Sequence, residues 1–169
     1  MKLPAQLFFS ILACLSAVEF AGAAVDRQSE FDRIKASIEK KHRYVENGTI
    51  IGGEAGTQTS VLSMRRLYAP KDGIERIVLD MGDRYGKPLK GQVGYFHVSL
   101  DRERSKLVVV LEQTQSSAVD QKKLKDIFKL SPFVKNARIL FDPHDRGITI
   151  EMDLKRKVVV EASHLPSNK

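Results

Sequence analysis

Ile74-Glu-Arg-Ile-Val-Leu-Asp80, Tyr95-Phe-His-Val-Ser-Leu-Asp101 and Lys106-Leu-Val-Val-Val-Leu-Glu112 follow one another within residues 73–114, and their reading decides the fold. Each is rich in β-branched and aromatic residues. Each is bounded by Gly, Asp, Pro or an Arg-Glu-Arg cluster, the composition of strands joined by turns. In the first, Glu75, Ile77, Leu79 and Met81 share the face expected to be inner, and Ile74, Arg76, Val78 and Asp80 share the other. The second sets Phe96, Val98 and Leu100 against Tyr95, His97 and Ser99. From Leu107 to Leu111 the third is apolar at every position, which predicts a central strand buried on both faces. Residues 101–105 close the second and third into a hairpin.

Working outward, residues 60–68 alternate well enough for a strand, and Ala69-Pro-Lys-Asp-Gly73 is a turn with Pro at its corner and Asp-Gly to close it. Residues 82–94 mix glycines and a proline with charges. They form a loop near the upper length of ordinary connections, the kind of segment that carries contacts. Downstream, Asp120 opens a helix over residues 118–130, with Leu124, Ile127 and Phe128 on one face and Ser131-Pro132 as its stop. Strands follow at 134–141, 148–154 and 158–162, the last expected to run back from the turn Lys155-Arg-Lys157. Seven strands with one helix between them predict a mostly β fold: a small antiparallel β-sandwich with one inserted helix.

Upstream, residues 29–44 read as an N-terminal amphipathic helix. Phe31, Ile34 and Ile38 form a narrow stripe, acids stand in the first turn, and Lys40-Lys41-His42-Arg43 in the last. A Gly-rich linker through Gly52, Gly53 and Gly56 follows it. The first 24 residues read as a secretory leader: Lys2, an apolar run over 7–18, and the small residues Ala21-Gly-Ala-Ala24 at the cut site. The division is thus 1–24 signal peptide, 25–58 helix and linker, and 59–165 β domain. No membrane span is expected once the leader is gone. Cys14, the one cysteine, follows Ile11-Leu12-Ala13 in the manner of a lipoprotein box. The exported chain is therefore either lipidated there or free of thiols.

Lys2 and Glu19 cancel, so the processed chain keeps the full +7 of the sequence. An exported basic protein meets acidic partners, and its compartment excludes nucleic acid. No cofactor and no metal are expected. His42, His97, His144 and His164 show no ligand spacing, and no cysteine but Cys14 exists. The serines have no nucleophile elbow. Asp80 and Glu112 are the one carboxylate pair that strand ends could bring face to face. No catalytic residue is assigned.

Arg76-Ile-Val-Leu-Asp80, Gly94-Tyr-Phe-His-Val-Ser-Leu100 and Ser105-Lys-Leu-Val-Val-Val-Leu-Glu112 together resemble the AMIN domain. That module lies beside N-acetylmuramoyl-L-alanine amidases and in pilus secretins. The resemblance covers some forty residues clearly and residues 138–161 more loosely. Arg104-Ser-Lys106 stands where Pro-Arg is usual, and Val110 where an acid is usual. It implies a non-catalytic periplasmic or cell-envelope module that binds peptidoglycan and localises what it is attached to. Candidate contacts to peptidoglycan, or to another acidic envelope polymer, are Arg65, Arg66, Arg76, Arg84, Tyr85, Lys87 and Lys90, since Arg matches carboxylates bidentately. Pairing of Arg76 with Asp80 is the competing role for that arginine. The alternative function is an assembly subunit that binds an envelope protein by β-augmentation, without polymer binding.

Overall fold

The computed structural model describes residues 6–12, 44–142 and 146–165. Among them are ten strands and one helix: β1 (Gln6–Leu12), β2 (Gly48–Gly52), β3 (Thr59–Ala69), β4 (Ile74–Asp83), β5 (Phe96–Asp101), β6 (Lys106–Leu111), β7 (Thr114–Ser117), α1 (Gln121–Phe128), β8 (Val134–Asp142), β9 (Gly147–Leu154) and β10 (Val159–Leu165). Two five-stranded sheets form, one in the order β10-β1-β4-β3-β7 and the other β2-β5-β6-β9-β8. Neighbouring strands are antiparallel except β3 and β7, which pair in parallel. The fold is a small, mostly β sandwich with one inserted helix, as the strand pattern predicts. The N-terminal helix expected over 29–44 lies outside the described residues save Tyr44, as does Cys14.

Alternation builds the core. In β4, Glu75, Ile77, Leu79 and Met81 are all buried, as expected of the inner face. In β5, and in β9 from Ile148 on, the burial alternates, with Phe96, Val98 and Leu100 opposite Leu111, Val109 and Leu107 of β6, and these in turn opposite Ile148, Ile150 and Met152 of β9. These residues join Val61, Met64, Ile77 and Leu79 of the other sheet in one hydrophobic core. Burying that much apolar side chain at ~25 cal/mol per Å² is the main driving term for the fold.

Four features differ from the sequence reading. The Gly-rich stretch expected to be a linker is β2, which pairs with β5 from Gly48↔Leu100 to Gly52↔Phe96. Gly53, at φ +80°, then lets the chain lie against the next loop, where a Cβ would meet the Gly94 carbonyl at 2.1 Å. Second, β6 is central but not buried on both faces. Val108 and Val110 are half-buried, because Ser99, Glu151, His97 and Thr149 are their cross-strand neighbours and cover them incompletely. Third, β10 does not fold back on β9: it crosses to the other sheet and pairs with β1. Last, β1 itself falls within the expected leader. It lies inside its sheet, between β10 and β4 and antiparallel to both.

Candidate anion-binding cleft

The seven residues singled out from the sequence do not form one site. On β3 and β4 the register sets Arg65 opposite Val78 and Arg66 opposite Ile77, so the two arginines leave opposite faces of the sheet. Arg65 reaches Asp80 across the outer face at 3.0 Å, and Ser63 also donates to that carboxylate. Arg66 turns inward. Its Nη1 lies 2.6 Å from Oε1 of the buried Glu75, and its Nε donates to the Ile127 carbonyl of α1 at 2.9 Å. Arg66 is therefore a strut that ties β3 to β4 and α1, its guanidinium turned away from the outer face. Arg76 is exposed on the outer face opposite Leu67, and the partner of Asp80 is Arg65 rather than Arg76.

The loop after β4 folds on itself. Asp83 accepts the backbone amides of Tyr85 at 2.8 Å and Lys87 at 2.9 Å, and Gly86, at φ +74°, completes the turn. The Arg84 guanidinium stands 4.6 Å above the Tyr85 ring and donates to its hydroxyl. Lys87 and Lys90 are exposed beside it. Asp80 lies on β4, whereas Glu112 stands in the turn just after β6 of the other sheet, so the two make no carboxylate pair. His97 is half-buried with its ring edge-on to Tyr95 at 6.4 Å, and His164 is half-buried on β10.

Positive charge gathers elsewhere, between α1 and β8. Asp120 caps α1 by accepting the Lys123 amide at 2.7 Å, and Leu124 and Phe128, one turn apart, fill the core. The same periodicity puts Lys125 and Lys129 together on another face. The side chain of Gln121 then clamps the helix to the open edge of β8: it donates to the Ala137 carbonyl at 2.8 Å and accepts the Ile139 amide at 3.0 Å. On β8 a register shift between Val134 and Asn136 accompanies the exposed Lys135. Lys155 joins from the end of β9, its backbone amide on the Phe133 carbonyl and its ammonium on the Ser131 carbonyl at 2.5 Å.

The result is a cleft of about 350 Å³ with Lys125, Lys129, Lys135 and Lys155 on its rim, Phe128 and Val134 among its lining, and Asp126 as its one carboxylate. The ammonium groups of Lys125, Lys129 and Lys135 have no hydrogen-bond or ion-pair partner among the described residues. Four ammonium groups against one carboxylate repel one another, and an anion in the cleft relieves that repulsion. Lys125 and Lys129 at i, i+4 were the one sign of this site in the sequence. Only the β8–β9 hairpin, in which Val134 pairs with Leu154, brings Lys135 and Lys155 to them.

No protein-family model, no curated protein and no solved structure matches this chain.

Proposed function

We propose that the chain is a non-catalytic, exported module of the cell envelope that holds an acidic polymer, with peptidoglycan the first candidate. The lysine-rimmed cleft between α1 and β8 carries this reading. Lys presents a compact charge on a flexible stem, so a group of lysines tolerates a ligand whose carboxylates recur along a chain. The stem peptides of the wall polymer have that chemistry. The +7 charge of the sequence and the resemblance of residues 76–112 to AMIN domains agree with it. A second reading, partnering with an envelope protein by strand addition, is favoured by the position of β1 between β10 and β4, since leader removal would take it away and open the facing edges of both.

Sedimentation of the processed chain with purified sacculi, at low and at high salt, tests the first reading. The expected result is co-sedimentation that falls as salt rises and is lost on reversing Lys125, Lys129 and Lys135 to Glu together. Failure of the folded processed chain to sediment at low salt, with a peptide of residues 5–13 added where folding needs it, overturns the proposal, and so does binding that ignores the triple reversal.

A further inference from the structure

Leader removal and β1 concern the same residues. The expected cut after residue 24 takes away Gln6–Leu12, which the fold places between β4 and β10 with Ile77, Val78 and Leu79 of β4 opposite Phe9, Phe8 and Leu7. On the other side Val159 to Leu165 run opposite Leu12 to Gln6. Without β1, two strands that are parallel to each other are left two strand spacings apart, roughly 9.5 Å. That distance is too large for a ladder bond between them. Their facing amides and carbonyls lose their partners together.

The direction of those groups on β10 follows from Val45. Val45 and Val160 exchange both backbone hydrogen bonds, at 2.8 and 3.0 Å, so Val160 is committed away from β1. By alternation, Val159, Glu161 and Ser163 direct theirs toward β1. β4 is ill suited to become an exposed edge, since Ile77, Val78 and Leu79 are each at most 1% exposed. Long apolar edges are templates for further strands.

We propose that the interval between β4 and β10 is a strand-acceptor site: in the processed chain it takes an extended apolar segment of another envelope protein, antiparallel to both strands. The inference rests on the export reading, because a retained leader would keep the site filled from within. A second folded copy could add its edge strand only at a sheet edge, not between two strands. The rest of the chain's own N-terminal stretch is unsuited as well. Asp26, Arg27, Glu30, Asp32, Arg33, Lys35, Glu39, Lys40, Lys41 and Arg43 interrupt residues 25–43 throughout, whereas the strand seated there reads Gln-Leu-Phe-Phe-Ser-Ile-Leu. Ile77, Val78 and Leu79 of β4 beside it are buried on both faces of the sheet, and a strand apolar on both faces matches them.

The test begins with the full sequence expressed with its leader and recovered from the envelope, its N-terminus determined by intact mass. A labelled synthetic peptide of residues 5–13, extended with lysines for solubility, is then titrated into it. Saturable binding is expected, with a rise in the unfolding temperature. Binding should weaken at least tenfold in a peptide carrying Phe9→Pro and in the protein variant Ser163→Pro, each of which removes a backbone amide. A processed chain that is unstructured alone and folds on adding the peptide supports the site equally. A processed chain that is folded yet takes no peptide overturns the proposal while leaving export intact. Residues 6–12 found still present in the recovered protein overturn leader removal and the acceptor site together. A chain that stays unfolded with peptide overturns the site as well.

Discussion

Glu75 is wholly buried, and the guanidinium of Arg66 meets it with Nη1 2.6 Å from Oε1. The second carboxylate oxygen accepts from the Ser131 hydroxyl at 2.7 Å, and that hydroxyl in turn accepts the amide of Val134 at 2.8 Å. Arg66 also holds the Ile127 carbonyl. One ion pair thus ties β4 of one sheet to α1 and to the start of β8 in the other. It fixes the wall on which the lysine cleft stands.

Removing one partner of a buried ion pair leaves the other desolvated and unpaired. Arg66→Ala should therefore cost about 3–5 kcal/mol of folding stability. Arg65→Ala, one residue earlier, breaks a pair whose arginine is 51% exposed, and should cost no more than about 1 kcal/mol. Urea unfolding of the two variants checks the contrast. Equal losses would mean that Glu75 is not held in the geometry described.

Gln121 stands in for a missing strand at the edge of β8. Gln121→Ala leaves the Ala137 carbonyl and the Ile139 amide without their protein partner, and should cost about 1–3 kcal/mol. Hydrogen exchange at the Ile139 amide should accelerate in the variant while amides of the central strand β6 keep their protection. Exchange that is unchanged at Ile139 would remove the clamp from the account of α1.

Gly53→Ala combines a left-handed backbone with a contact to the Gly94 carbonyl that no side chain can fit. A destabilisation of at least about 1–3 kcal/mol is expected, the cost of strain alone. Gly56→Ala shares the positive φ but meets nothing within 4 Å, so it should cost less. Thermal unfolding of the pair separates close packing from strain.

For polymer retention, the ranking of basic residues differs from the sequence expectation. Charge reversal at Lys125 and Lys129 should lower retention on sacculi at least tenfold. Arg66→Lys should leave retention near that of the parent wherever the fold persists, because Arg66 is turned to Glu75 and the Ile127 carbonyl. Arg84→Ala, whose guanidinium lies over Tyr85, should have little effect either. Retention lost with Arg84 and kept in the lysine variants would move the site to the loop after β4.

Much of the sandwich was legible because burial follows period-two patterning. The inner faces of β4, β5 and β9 are those that alternation assigns, and Asp120, Leu124 and Phe128 mark α1 without help from the rest of the chain. The missed strands lacked that signal. β2 carries two glycines and exposes Ile51, β7 is the four residues Thr114–Ser117, and β1 reads as the core of a leader because its apolar run serves either purpose. The candidate site was less legible still. Arg65 and Arg66 look equivalent in sequence, yet the pleat sends one to the surface and the other into the core.

The amino-acid sequence alone set the class of fold, the helix with its cap and the net charge of +7, because these depend on residue type, local spacing and summed charge. Tertiary structure alone decided which strands pair, that β10 leaves β9 for β1, and that lysines thirty residues apart share a cleft. Pairing across a sheet depends on backbone groups that every residue carries alike. The order of strands therefore has no local signature and appears only when both sheets close on one core.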